Sequence, residues 1–407
     1  MITEDTPVIT GIGVITPTGA GLTEFWESAR SGRSGIKGIT RFSVDKYPSR
    51  IGGQIDDFDP AAHIPSRLRP QTDRSTQLAL VATDWALAAA EIDPTEFDEY
   101  AGSVVNANAI GGAEFIQNEL FRLWRRGPEY VTAYMSYAWF HGVNTGQISI
   151  KNQLKGSAGV VVTGQAGGID AVGQARRRLR SGQRFVVTGG ADAPICPYGL
   201  VAGISGGYLS RSDDPAAAYR PFADKADGYV LGEGCAMMVL EPLGAAKSRN
   251  AKAIRAAITG YSSTFDPAPS TGKPSTLSVA ARAAIADAGL TPDQIDVVFA
   301  DGAGIATADA VEAAAIRELF GPHGVPVTVP KAATGRMYAA GSAVDIVAAV
   351  MAIEHNEIPP TVGTIEAAAD YWIDLVTGTS RAVTVEHALV LAHDENGFNA
   401  ALVVSAC

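Results

Sequence analysis

The chain has 407 residues, and 32 lysines and arginines against 43 aspartates and glutamates give a formal charge of −11. That acidic balance argues against nucleic acid or an anionic membrane surface as the main partner, since both select basic faces. With 46% hydrophobic residues the chain can bury a large core, and its length suits two or three ordinary domains or one large duplicated unit.

Met1 to Pro7 carries Glu4 and Asp5 and no basic region. The apolar stretch behind it is interrupted by glycines, and no run of 18 apolar residues occurs, so neither a signal peptide nor a membrane span is expected. Val8 to Ile15 reads as a β-strand closed by the turn Thr16-Pro17-Thr18-Gly19. Its Gly11 and Gly13 lack the third glycine of a phosphate loop, so close backbone packing is the better reading. A helix is expected over Leu22 to Ser31, and residues 32–74, rich in Gly, Pro and Arg, read as a long surface excursion.

Two echoes follow. An Ala-rich helix from Gln77 to Ala90 precedes an acidic loop and a strand from Gly102 to Ala109. Another helix, from Leu277 to Leu290, precedes a second acidic loop and a strand from Asp296 to Gly304. Likewise 164–183 and 335–357 each begin with a glycine-led turn and continue as a long helix. Such matched units imply a duplicated α/β architecture whose halves face each other, with halves expected at 1–245 and 246–407. Between the echoes, Gly111 and Gly112 release the chain into a helix from Ala113 to Trp124. Its Ala113, Ile116, Leu120 and Leu123 share one face, and on spacing alone that stripe is equally well plain core.

Val160-Val161-Val162-Thr163-Gly164-Gln165-Ala166 reads as a buried β run, a sharp turn and the opening of a helix. This is the geometry of a nucleophile elbow, where the helix dipole and free N–H groups favour a thiolate or oxyanion. The residue at the tip is Gln165, whose carboxamide cannot attack a carbonyl. On this stretch alone an ordinary strand-to-helix turn with a polar cap is the favoured reading. Further on, Arg220, Asp224, Asp227 and Glu233 are expected to form a buried ion network. A metal is not expected there, because Arg220 and Lys225 offer simpler partners. The three cysteines, Cys196, Cys235 and Cys407, form no CxxC and have no histidine at ligand spacing. That suits a reducing cytosol, so a cytoplasmic protein without cofactor, zinc site or disulfide frame is expected. Asn396-Gly397 reads as a turn before a strand from Ala400 to Val404.

Taken together, ITGIGVITPTG, TGQAGGIDAVGQA, RPFADKADGYVLGEG, ADGAG with Asp309 and Glu312 beyond it, PKAATGR and GFNAALV resemble the thiolase-fold β-ketoacyl synthases over nearly the whole chain. The chain most resembles the chain-length factors, the β-subunits of bacterial type II aromatic polyketide synthases, typical of actinomycetes. The resemblance implies a layered αβαβα fold and places Gln165 where the family has its cysteine. It places Asp301 and Arg336 where the family has two histidines, and Lys331 where it has a lysine. Condensation needs a thiolate to hold the acyl chain and donors to polarise the malonyl thioester, so the chain is not expected to condense anything alone. His63, His141, His323, His355, His387 and His393 lie outside these motifs and read as surface or structural residues.

What the resemblance implies about partners is an obligate heterodimer with an active ketosynthase α-subunit. An acyl carrier protein and the growing polyketide chain would act through that complex. The expected contact segment is Leu154 to Val162 with residues 103–141; for Arg125 and Arg126 rim contacts and a solvated role are equally good readings. Ala113, Ile116 and Leu120 would look into the chamber where the polyketide extends. Since Ala113 leaves space open, products toward the longer end of the family's range are expected. Two alternatives stand beside this reading: a malonyl-carrier-protein decarboxylase working through Gln165, and a scaffold with no influence on product.

Overall fold

Glycine sets how closely the first helix layer approaches the sheet. The structure, a computed structural model, describes residues 2–407; Met1, the first residue of the N-terminal segment read above, lies outside them. In β1 (Pro7–Thr16), a Cβ on Gly11 would stand 2.0 Å from the Ala86 carbonyl oxygen, and one on Gly13 1.9 Å from that of Ala82. Close packing is therefore what the GxG serves. In the second half Gly260 meets Ala284 in the same way, at 2.0 Å.

After β1 the first half runs α1 (Leu22–Arg30), α2 (Arg74–Ala90), β2 (Gly102–Ala107), α3 (Ala113–Arg126), α4 (Val143–Lys151), β3 (Ala158–Val161), α5 (Gly167–Arg180), β4 (Phe185–Asp192), α6 (Pro197–Gly206) and β5 (Gly234–Pro242). The second runs β6 (Ala256–Phe265), α7 (Leu277–Asp287), β7 (Val297–Phe299), α8 (Ala306–Phe320), β8 (Pro326–Thr328), α9 (Ala339–His355), β9 (Asp374–Leu375), β10 (His387–His393) and β11 (Phe398–Ser405). Short strands and helical turns fill the connections. One sheet has the order β9-β8-β7-β10-β11-β6-β1-β5-β4-β2-β3. Outward from the β6–β1 junction, β11-β10-β7-β8 repeats β5-β4-β2-β3. Pairing direction repeats too: β1–β5–β4 and β6–β11–β10 are antiparallel, whereas β4–β2–β3 and β10–β7–β8 are parallel. The duplication read from the echoes is present.

Strand alternation sorts the core into layers. Ala388, Val390 and Ala392 of β10 face a central core with α5 and α9, while Leu389 and Leu391 face an outer core with α7 and α8. In the other half Val186 of β4 faces the central core, and Phe185 and Val187 face an outer one with α2. The result is the αβαβα arrangement expected from the sequence. Small residues let the two central helices cross closely: a Cβ on Gly168 would meet the Ala343 nitrogen at 2.4 Å.

Three expectations need correction. The strand expected to reach Gly304 ends at Phe299, because the N–H groups of Asp301 and Gly302 turn to Glu312 instead of a neighbouring strand. The run 160–162 is not buried: among the described residues β3 is the rim of the sheet, paired with β2 alone, and Val160 and Val162 are exposed. Nor is 32–74 all surface, since Ile36, Ile39, Ile51, Ile55 and Ile64 are buried. No helix among the described residues is long and apolar enough to cross a membrane.

Candidate functional site

The elbow is built as the sequence suggests. β3 gives way at Gly164 (φ +53) to a single helical turn, Gly164–Ala166, and then to α5. Gln165 at the tip is 2% exposed. Its Nε2 has no hydrogen-bond partner among the described residues, and its backbone N–H donates to Asp394 Oδ2 at 3.0 Å. The N–H groups of this helix start are therefore not free. That of Gly168 donates to Ser342 Oγ on α9 at 3.1 Å.

Asp301, Lys331 and Arg336 are brought together by the turns that follow β7 and β8. Arg336 Nη1 donates to Asp301 Oδ2 at 2.7 Å, and Lys331 Nζ lies 3.2 Å from Asp301 Oδ1 and 2.7 Å from Asp345 Oδ2. All four side chains are buried. Burial pushes the Asp301 carboxyl up, but Arg336 and Lys331 outweigh it and hold the group below the usual carboxylate range. Burial likewise pulls the Lys331 ammonium down, and Asp301 and Asp345 reverse this. Asp345 is pushed up to about 6 by burial, with Lys331 opposing. Glu312, which accepts the Asp301 and Gly302 N–H groups at 2.7 and 2.8 Å, is pushed up to about 7 by burial and by Asp301. The two positions expected to carry a degenerate histidine pair are thus each other's counter-ions.

The wall of this cluster is the block 219–234. Tyr219 donates its hydroxyl to the Gly302 carbonyl at 2.7 Å, and Asp309 accepts the Phe222 N–H at 2.8 Å. Gly232 N–H and the Arg336 carbonyl pair at 2.8 Å, and the Tyr229 ring lies 5.1 Å from the Arg336 guanidinium. The ion network expected from Arg220, Asp224, Asp227 and Glu233 does not form. Asp224 and Asp227 are exposed, and Arg220 donates to the Lys225 carbonyl. Glu233 alone is buried, and its partners come from the excursion: Arg41 at 2.7 Å and Arg74 at 2.9 Å. Sequence separation hid that pairing.

Gln165 reaches the charged cluster through the β10–β11 hairpin. The His393 carbonyl accepts from Arg336 Nη2 at 3.4 Å, and the next residue, Asp394, holds the Gln165 N–H. The histidine side chains have structural partners: His355 stacks on Trp26, and His393 Nδ1 meets Asn399 Oδ1. Asp345, Asp394 and Tyr229 were missed from sequence. Asp345 carried a signal, being the one charge in the apolar run from Ala339 to Ile353.

Ala113, Ile116 and Leu120 form a separate group on α3. Ala113 is buried, Ile116 and Leu120 half-buried. The helix start is fixed by Asp73, which caps α2 through the Ser75 N–H at 2.9 Å and accepts the Phe115 N–H at 3.0 Å. Gly112 admits the neighbouring loop, since a Cβ there would lie 2.4 Å from the Ala138 carbonyl oxygen. Gln117 Oε1 accepts the Tyr198 N–H at 2.7 Å, which ties α3 to α6.

Comparison with known proteins gives a consistent family. The β-ketoacyl synthase N-terminal domain matches residues 5–246 and the C-terminal domain residues 255–364. The actinorhodin polyketide putative beta-ketoacyl synthase 2 of Streptomyces coelicolor is 49% identical, over 98% of this chain and 98% of that one. The tetracenomycin polyketide synthase ketoacyl synthase beta subunit of Streptomyces glaucescens is 49% identical over 98% and 97%. Among solved structures, the ishigamide ketosynthase/chain length factor superposes with a TM-score of 0.90 at 28% identity, covering 99% of both chains. A type II acyl-carrier protein in complex with its ketosynthase bound to the hexaketide gives 0.88 at 26% identity, also over 99% of both.

Proposed function

The chain belongs to the β-ketoacyl synthase family, and we propose that it is a non-catalytic chain-length factor. It docks on an active ketosynthase of a type II polyketide synthase and shapes the chamber that sets poly-β-ketone length. The observation that carries this reading is the state of the former catalytic centre: an amide at the elbow, and a closed ion pair, Asp301 with Arg336, where two donors to a substrate would be needed. The acyl carrier protein and the growing chain engage the complex.

The rim of the sheet is the side on which the ketosynthase docks. Val160 on β3 is 38% exposed and Val162, just past its end, 46%, with Ile150 at 73% on α4 and Trp124 at 79% on α3. Trp139 and Phe140 are exposed on the connection between α3 and α4. Arg125 and Arg126 stack on the Phe121 and Tyr130 rings at 5.3 and 4.8 Å, which suits a polar rim.

Catalytic silence is tested directly. The purified chain with malonyl-carrier protein is expected to release no CO2 above the Gln165→Ala background and to condense nothing. Gln165→Cys alone should change neither result, because Arg336 Nη1 and Nη2 are held by Asp301 and the His393 carbonyl. Decarboxylation that depends on Gln165 would favour the decarboxylase reading instead.

The ruler is tested with the reconstituted pair. A ketide adds two backbone bonds, roughly 2.5 Å of reach, so a phenyl ring in the chamber blocks about two units. Ala113→Phe and Ile116→Phe are each expected to shorten the major product by about that much, read by mass spectrometry with assembly intact. Ala113 is already buried in the single chain, so Ile116→Phe is the milder probe. Unchanged length in both, with turnover retained, would leave the chain as a scaffold only.

A further inference from the structure

The elbow keeps its helix N-terminus but not its free donor. At an acyl-carrying elbow, a backbone N–H aligned with the helix dipole is placed to bind the carbonyl oxygen on which negative charge develops. Here the N–H of Gln165 is taken by Asp394 Oδ2 at 3.0 Å, and Asp394 is 2% exposed. The hairpin holds that carboxylate in place. Asp394 N–H donates to the Phe398 carbonyl at 2.9 Å, and Gly397 N–H donates to the Asp394 carbonyl at 2.8 Å. Its Oδ1 accepts from the Asn396 N–H and Nδ2, each at 2.8 Å. Gly164 leaves the room, since a Cβ there would lie 1.9 Å from Asp394 Oδ2.

We propose that Asp394 is a positioning residue that acts as an internal oxyanion: it occupies the place a thioester carbonyl oxygen would take at the elbow. This deepens the proposed function and rests on its reading of residue 165 as a silenced acyl-carrying position. Silencing is then double. Loss of the nucleophile removes covalent attachment, and Asp394 separately removes the donor that attachment would need. Restoring a thiol at 165 leaves a carboxylate beside it, which disfavours the thiolate and blocks the acyl oxygen.

The test uses the full chain in complex with its ketosynthase, carrying Gln165→Cys alone or with Asp394→Asn or Asp394→Ala. Trypsin releases the segment from Gly156 to Arg176, which holds no native cysteine, so mass spectrometry reads position 165 without interference. The first readout is the pH dependence of alkylation by iodoacetamide. The second is exchange with an acetyl thioester of N-acetylcysteamine. There the donor's carbonyl–sulfur bond breaks, a new one forms at position 165, and N-acetylcysteamine leaves as the free thiol.

Asp394→Asn removes the charge but keeps an acceptor on the N–H, whereas Asp394→Ala removes both. Both are expected to lower the thiol pKa by about one unit, or roughly tenfold faster alkylation at pH 7. Acylation is expected to rise about tenfold, as one unit of pKa would, in Asp394→Ala and to stay low in Asp394→Asn. Equal acylation with and without Asp394→Ala, in complexes that melt alike, overturns the proposal. If Asp394→Ala does not fold, an unshifted alkylation profile in Asp394→Asn overturns it alone. Failure to assemble with a ketosynthase counts against the proposed function instead, and size exclusion reads it before either chemistry.

Discussion

Asp301→Asn is expected to cost about 3–5 kcal/mol of stability, more than Arg336→Met at the same site. Both side chains are buried and paired at 2.7 Å. Removing Asp301 takes the 2.7 Å partner from Arg336, whose guanidinium cannot shed its proton, and Lys331 can relieve the net positive charge only by giving up its ion pair with Asp345. Removing Arg336 leaves Asp301 and Asp345 around Lys331, a net anion, but carboxyls can neutralise by binding a proton. Asp345 is already pushed up to about 6. The sign follows from linkage: a carboxyl whose folded pKa is raised costs nothing below its unfolded pKa and its full penalty above the folded one. The loss from Arg336→Met should therefore shrink as pH falls from roughly 8 to roughly 5. That from Asp301→Asn should not. The double variant should lose less than the sum, since the two share one interaction. Urea midpoints of the purified complex at both ends of the range measure all three. A larger loss for Arg336→Met at high pH would mean that Asp301 is not the anchor of the cluster.

That cluster marks what the sequence could and could not tell. The places of Gln165, Asp301 and Arg336 were legible, because recognisable motifs surround each of them. Their mutual pairing was not, since a residue-by-residue reading asks what each lost and not what they became together. The duplication was legible because helix and strand periods repeat at matched places. The rim is hidden in the sequence for a specific reason: Val160-Val161-Val162 has the composition of a central strand, and no composition says that its far edge is unpaired. Glu233 was assigned to its sequence neighbours, whereas Arg41 and Arg74, more than 150 positions away, hold it. Asp394 carried no motif; its role comes only from the hairpin that aims it at the elbow.

Val160→Pro is expected to weaken assembly with the ketosynthase about tenfold, by roughly the 1.4 kcal/mol at the upper end of one lost hydrogen bond. The carbonyls of Ser157, just before β3, and of Val161 within it accept from the N–H groups of Val104 in β2 and Asn108 just after it. Backbone groups alternate sides along a strand, so the N–H and C=O of 158, 160 and 162 face outward. A free edge flanked by exposed apolar side chains is a template for strand addition, and obligate interfaces of this kind bury roughly 2,000 Å2 or more. Proline at 160 removes one outward N–H and is tolerated on an edge strand, so β2–β3 pairing and the elbow behind it survive. Val160→Thr keeps the N–H and should assemble nearly as well. Val279→Lys, an exposed site on α7 in the other half, should have no effect. The unaltered chain expressed alone should self-associate through the same edge, and co-expression should give a 1:1 complex. Unchanged affinity in Val160→Pro, or a stable soluble monomer of the unaltered chain by light scattering, would move the ketosynthase off this edge.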